Sequence, residues 1–429
     1  MKARGYLALG IAAVALAALS GCSGSASSSS SDGGSATSGS ITYEYFNNQP
    51  AAIAQTKKLV ADFEKKYPKI KVTLEVAPAD SLEQKLQTQY AGGVAPDVVQ
   101  NDAPGDTLQF SNFLADLNTL LPKATIADIP ASVRAGLEKG GKLLAVPTEQ
   151  QSYVVFANKD IFEKDGVKVP TGDKMTWDTF ESLAKQTTSD GVKGLVWGLG
   201  SPTSNFASFG LGFGAKYFTS TDETTAKASI GTAELAVPTR VKSMIDAGYV
   251  DKTGVTQSSS DALPTFYGGK AAMTVAGSYQ IANIATDAPA GFNWVVLPAL
   301  AGSKGPQQLS APITLSITKT SKHLAAAATF VDYYQSAANL AAINIADGEI
   351  PATTSALAEA EKLQAGKNGW AQVLASGKNL VNPTFNTFTK YETWKSTVAT
   401  PAYQKYLAGQ IDEKGLASAL ETGWASTNN

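Results

Sequence analysis

One cysteine and one histidine occur in 429 residues. Cys22 has no partner for an intramolecular disulfide, and the stretch after it, "SGSASSSSSDGGSATSGS", is no material for a core around a buried thiol. His323 precedes an alanine-rich run and reads as a helix cap or a surface residue. No G-x-S-x-G elbow exists for a Ser-His-Asp hydrolase. The absence of H-E-x-x-H and of any Cys/His cluster excludes the usual transition-metal sites. No Gly-Lys pair is followed by Ser or Thr, so there is no phosphate-binding P-loop. Gly210-Leu-Gly212-Phe-Gly-Ala215 fits G-x-G-x-x-A on paper, but it lies in an aromatic stretch and reads as a turn. Charge is also scarce, with 17% charged residues and a net charge of −2, which gives no basis for binding nucleic acid. The one basic cluster, Lys65, Lys66, Lys69 and Lys71, reads as a solvated helix end. Acidic residues are plentiful, yet no spacing singles out a glycosidase pair.

The amino terminus holds the only strong apolar run. Lys2 and Arg4 begin it, and Tyr6 to Leu19 is almost wholly apolar. At roughly 14 residues it is shorter than the ~20 that span a bilayer, which is the layout of a secretory signal. Leu19-Ser20-Gly21-Cys22 resembles a lipobox, the bacterial signal for acylating a cysteine. The resemblance implies cleavage before Cys22 and lipidation of Cys22; the alternative is an ordinary cleavable signal. Two acyl chains hold a protein on a membrane stably, where one does not. Without Lys2 and Arg4 the net charge becomes −4. The serine tract reads as a leash, about 18 residues of coil spanning roughly 20–25 Å.

Beyond it, 43% hydrophobic residues suit a packed body, and its length suggests two domains. Ile41–Phe46 reads as a strand and Ala51–Tyr67 as a helix, with Ile53, Val60, Phe63 and Tyr67 at helical spacing and Pro68 as the stop. Ile70, Val72, Leu74 and Val76 alternate as a strand does; Leu82, Leu86 and Tyr90 mark a helix closed by Gly92-Gly93; Pro96–Gln100 returns as a strand. This order predicts a parallel sheet, with ligand beyond its carboxyl ends, here Phe46-Asn47-Asn48 and Asn101-Asp102. Further strands are expected near 143–146, 152–157, 195–199, 271–276, 292–297 and 314–318. A helix is expected from Trp177, capped by Thr176 or Asp178, and a mainly helical region after Lys322.

Five stretches in order carry a family resemblance: "KKLVADFEKKYPKIKVTLEV", "GGVAPDVVQNDA", "AVPTEQQSYVVFANKDIFEKDGV" with "TWDTFESLAK", "FYGGKAAMTVAGSYQI" and "DGEIPATTSAL". Together they resemble the family 1 extracellular solute-binding proteins, the carbohydrate-binding lipoproteins of ABC importers. The resemblance implies an α/β, two-lobed periplasmic-binding-protein-like fold, each lobe a sheet flanked by helices, closing on ligand by hinge motion. It implies a signal peptide at 1–21, a linker at 22–40, an N-terminal lobe of 41–151 plus 299–338 and a C-terminal lobe of 152–298 plus 339–429. The crossings then lie near residues 151, 299 and 339.

Ligand-binding positions carry over onto Phe46, Asn47, Asn48, Asn101, Asp102, Glu149, Gln151, Tyr153, Ser278, Tyr279, Gly348 and Glu349. The polar members suit hydroxyls, which both donate and accept, and the aromatic members suit the apolar face of a pyranose. Trp197, Phe206, Phe209 and Trp394 are further aromatic candidates, each equally suited to a core. Two positions depart from the family pattern: Tyr279 stands where Trp is common, and Ala157 precedes "NKD" where Tyr is usual. The resemblance implies a mono- or oligosaccharide ligand and an ABC permease as partners. It further implies a monomer on the outer face of the cytoplasmic membrane, held by lipid alone, with no cofactor, metal or catalytic group. The same fold with a polyamine or ferric ion, or a surface glycosidase, remains open. Asp102, Glu149 and Glu349 could answer the polyamine demand for convergent carboxylates.

If Cys22 carries the anchor, Cys22→Ser is expected to release the protein into the medium or leave it unprocessed. Fractionation and mass determination of the variant check this; a membrane-bound product of mature mass would refute it.

Overall fold

The computed structural model describes residues 38–46 and 49–429. The signal segment, Cys22, nearly all of the leash, Asn47 and Asn48 lie outside the described residues. In chain order the first elements are β1 (Gly39–Tyr45), α1 (Pro50–Lys66), β2 (Ile70–Val76), α2 (Ala79–Gly92), β3 (Val98–Asn101), α3 (Pro104–Gln109) and β4 (Val146–Gln150). There follow β5 (Tyr153–Asn158), α4 (Trp177–Gln186), β6 (Lys193–Trp197), α5 (Pro202–Gly210), β7 (Ala271–Gly277), α6 (Gln280–Asp287) and β8 (Trp294–Val296). The elements that close the chain's path through both lobes are β9 (Ile313–Ile317), α7 (Leu324–Tyr334), α8 (Ala337–Asp347), β10 (Ile350–Pro351) and α9 (Tyr391–Trp394).

Two sheets organise two lobes. The first runs β10-β4-β9-β3-β1-β2, and the second β8-β5-β7-β6. β1 is parallel to both β2 and β3, as the alternation of strands and helices requires. β9 and β10 enter antiparallel to β4. β1 begins two residues earlier than its apolar alternation marks, because Gly39 pairs with Ile70.

Local sequence explains the elements that frame the cleft. α1 starts with Pro50 at its first turn, ends on Lys65 and Lys66, and buries Ala52, Thr56, Leu59, Val60 and Phe63. Its apolar stripe is thus rotated slightly from the expected one, leaving Ile53 only half-buried. α4 is capped by Thr176, whose hydroxyl accepts from Thr179 N–H at 3.1 Å. His323 sits exposed at the start of α7 and makes no side-chain cap.

The chain leaves the first sheet after Gln150 and joins the second at Tyr153. The return passage comes later than residue 299, because Ala299–Ala301 still pairs with Lys174–Thr176 of the second lobe before β9 rejoins the first sheet. The third passage lies beyond residue 351 rather than near 339, since β10 pairs with β4. Helical and strand periodicity reports burial but not which sheet provides it, so these two boundaries were not legible.

The lobes have separate cores. Tyr43, Phe63, Phe330 and Tyr334 join Val98, Leu315 and Ile317 in the first. In the second, Trp177, Trp197, Phe206 and Phe209 pack together. Trp197 is fully buried, lies 6.5 Å from Trp177 and crosses Phe206 and Phe209 edge-on. Its Nε1 donates to Asn205 Oδ1 at 3.1 Å. Among the described residues no helix is long and apolar enough to cross a membrane.

Trp197→Ala is therefore expected to cost about 3–5 kcal/mol of ligand-free stability, as large aromatic truncations in cores do. Urea denaturation measures it; a loss within ~0.5 kcal/mol, the range of surface substitutions, would contradict the core role.

Candidate functional site

The carboxyl ends of the first sheet and the end of β7 face one another across a cavity of about 500 Å³. That lies within the ~300–1,000 Å³ typical of small-molecule sites. Phe46 follows β1, Asp102 follows β3, and Glu149 stands near the end of β4. Glu149 is held between Ile313 and Pro351 on the flanking strands, which fixes its backbone.

The turn "DGEIP" completes that wall. α8 ends at Asp347, and Gly348 caps it in the left-handed region at φ 77°. Glu349 N–H then donates to Asn344 O at 2.8 Å, which turns the chain into β10 and sets Asp347 and Glu349 on the cavity. Gly348 is itself squeezed: a Cβ there would stand 2.5 Å from Tyr279 O. It thus supports the site by close backbone approach and not by a side chain.

From the second lobe come Tyr153 on the crossing, Tyr279 after β7, and Tyr391, Glu392 and Lys395 at the end of α9. Tyr279 is half-buried, and its ring lies over Gly277, where a Cβ would meet Cε1 at 2.4 Å. Lys395 opens a π-helical turn to Ala399, a distortion that recurs at functional sites. It pairs with Glu392 on the same face.

Hydrogen bonds knit the crossing to the site. Ser278 Oγ donates to Glu349 Oε2 at 3.1 Å and accepts from Ser152 N–H at 3.3 Å. Gln308 accepts from Tyr153 N–H and donates to Tyr153 O, at 2.7 and 2.9 Å.

Carboxylates dominate the electrostatics. Burial, then the charges of Asp347 and Glu349, hold Glu149 well above the usual carboxylate range. Burial and then Asp347 do the same to Glu349, while the hydrogen bond from Ser278 pulls it down. Desolvation pushes the Asp102 carboxyl up, Lys395 opposes that shift and Glu392 adds to it. Desolvation pulls Lys395 down, but Glu392, Asp102 and Asp106 outweigh it and hold the ammonium charged. Tyr279 is raised by burial and then by Glu349. Among the described residues no group of three or more His, Cys, Asp or Glu is arranged to hold a metal ion.

Of the expected positions, Phe46, Asp102, Glu149, Gln151, Tyr153, Tyr279 and Glu349 share this cavity. Asn101 does not: it is buried within β3 and pairs opposite Thr314. Ser278 acts through Glu349 and Ser152, and caps no helix. Trp197 is core, as are Phe206 and Phe209. Trp394 is core too, with Nε1 donating to Leu420 O at 3.1 Å. Asn47, Asn48 and Cys22 lie outside the described residues. Sequence reasoning missed Asp347, Tyr391, Glu392 and Lys395. Asp347 opens the stretch "DGEIPATTSAL"; the other three flank Trp394, and nothing local separates their cavity-lining role from its core role.

A family model described as bacterial extracellular solute-binding protein matches residues 47–341. An uncharacterised lipoprotein of Streptomyces antibioticus is 32% identical over 383 residues, 88% of this chain and 84% of its own. A multiple sugar-binding protein of Streptococcus mutans is 26% identical over 314 residues, covering 69% and 71% of the two chains. Among solved structures, the GacH receptor of Streptomyces glaucescens, studied unliganded and with acarbose, superposes with a TM-score of 0.75 at 23% identity. That match covers 91% of this chain and 98% of the receptor.

The buried acids predict a pH dependence. Free carboxyls titrate near pH ~4.3. Below that, Glu149 and Glu349 are protonated whether folded or not. As pH rises, the unfolded chain ionises first, so their contribution to stability is lost progressively until their raised folded values are passed. Glu149→Gln is expected to raise the ligand-free melting temperature at pH 7 and flatten its fall with pH. Melting curves across the pH range check this; a profile identical to wild type would remove Glu149 as the source.

Proposed function

The chain belongs to the bacterial extracellular solute-binding proteins, and from that premise we propose that it captures a mono- or oligosaccharide by closing its two lobes. It then delivers the sugar to an ABC permease. The observation that carries the reading is the wall itself. The rings of Phe46, Tyr153 and Tyr279 line one cavity together with the amide of Gln151 and the carboxyls of Glu149 and Glu349. Rings offer flat apolar platforms to pyranose C–H faces, and the polar groups match hydroxyls that donate and accept. The sugar-binding relative from S. mutans supports the same ligand class. An anionic solute is disfavoured, because Glu149, Asp347 and Glu349 would repel it at close range. The family members are binding proteins, and delivery, not turnover, is the role proposed. A lipid on Cys22 would tether the protein outside the cell, a reading supported by the lipoprotein relative.

Closure uses the crossing at 150–153 as a hinge, with ligand adding contacts to both lobes at once. Small-angle scattering is expected to show a smaller radius of gyration at saturating sugar. Thermal-shift screening of neutral oligosaccharides finds the ligand, since one present at 100 times its Kd adds about 2.7 kcal/mol of stability. Tyr279→Ala then removes a stacked ring worth about 1.5–3 kcal/mol, weakening binding roughly 10- to 150-fold. Tyr279→Trp is expected to hold or improve affinity by enlarging the platform. Calorimetry of both variants decides; unchanged affinity in Tyr279→Ala would remove this ring from the site.

A further inference from the structure

A pair of uncharged amides lines the cavity beside the return strand. There Gln308–Leu309 pairs with Leu380–Val381, and Ser310 N–H donates to Val381 O at 2.7 Å, which fixes the Ser310 backbone. Both amides hang on this one buried residue. Ser310 Oγ donates to Gln150 Oε1, and Asn386 Nδ2 donates to Ser310 O at 2.9 Å, with Asn382 Oδ1 a longer second acceptor at 3.5 Å. These bonds decide which way each amide points. Gln150 has used its oxygen and keeps its N–H donors; Asn386 has used its nitrogen and keeps Oδ1, which only accepts. No hydrogen bond among the described residues uses either remaining end. Gln150 is 8% and Asn386 4% exposed, and both line the cavity. A polar end enclosed in this way costs free energy until a partner arrives.

We propose that Gln150 and Asn386 form a specificity subsite for one free sugar hydroxyl, with Ser310 positioning both. The inference rests on the sugar reading above and deepens it. A donor and an acceptor held by the same residue, yet not bonded to each other, are satisfied together by a group that both accepts and donates. A hydroxyl does this through one oxygen. An ether or glycosidic oxygen only accepts, as a carboxylate does, and leaves Asn386 Oδ1 bare; an ammonium only donates and leaves Gln150 Nε2 bare. The hydroxyl read here is therefore one that carries no linkage and no substituent. Gln150 ends β4 of the first lobe, whereas Asn386 follows Phe385 of the second core. A hydroxyl between them is bonded to both lobes at once, so this contact favours closure as well as selecting the sugar.

The test screens the mature protein by thermal shift against neutral mono-, di- and trisaccharides. Calorimetry then compares the tightest binder of that panel with its monodeoxy and mono-O-methyl derivatives. The expected result is one hydroxyl position at which both derivatives bind about tenfold or more weaker, because each lacks the proton that Asn386 Oδ1 accepts. Gln150→Met, Asn386→Leu and Ser310→Ala should each weaken the parent sugar and bring the parent-to-derivative ratio at that position toward one, with the ratios at other positions unchanged. Ser310→Ala removes only the bond that orients Gln150; it and the wild-type scan decide the matter even if a larger change prevents folding. A flat scan, with every derivative within about threefold of the parent, overturns this inference and leaves the sugar reading standing. A position-specific loss that persists unchanged in the folded variants also overturns it. Failure of every member of the panel to bind overturns both readings.

Discussion

The hydrogen bond from Ser278 Oγ to Glu349 Oε2 joins the two halves of the molecule beside the strand that crosses between them. Ser278 follows the last residue of β7 in the second sheet, and Glu349 precedes β10 in the first. The same hydroxyl accepts from Ser152 N–H, and Ser278 N–H donates to Ser152 O, so the crossing strand is included. Three separate passages of the chain are thereby brought within a few ångströms. Gly348 is what permits the approach, because any side chain there would strike the Tyr279 backbone. Cavity wall and crossing strand are consequently one structure.

That arrangement carries a cost in stability. Glu149 and Glu349 are enclosed near Asp347, where their charged forms are poorly solvated and mutually repelled. Natural cores avoid such groups unless they are paired. The two aromatic cores on either side, around Tyr43 and Phe63 in one lobe and Trp177 and Trp197 in the other, supply the burial that tolerates them. Around α9, Trp394 packs inward against Trp424, Tyr391 belongs to the same core while also lining the cavity, and Glu392 and the following Lys395 reach the cavity. One short helix thus serves core and cleft with adjacent residues.

Much of this was written locally. The alternation of β2, the Pro68 stop after α1, and the Thr176 cap of α4 depend on near neighbours in sequence, which is why they were legible. The ligand-facing ends of β1 and β3 follow from the parallel order itself. The failures have a different character. Trp197 and Trp394 are large rings suited to stack on a ligand or fill a core, and nothing local distinguishes the two. Asn101 ends β3, which is buried along its whole length, whereas Asp102 stands one residue beyond the strand and is exposed.

By itself, the sequence determined the α/β alternation, the absence of the common catalytic and metal motifs, and a set of polar and aromatic residues fit for a hydroxyl-rich solute. These rest on composition and on spacing within a dozen residues. Only the tertiary structure decided which acids share one cavity, that Lys395 faces Asp102 across it, and where the chain returns from one lobe to the other. Those facts depend on contacts between residues 50 to 300 positions apart. They are fixed by sheet pairing and by two cores that must each be filled, and no local pattern records which distant partner does the filling.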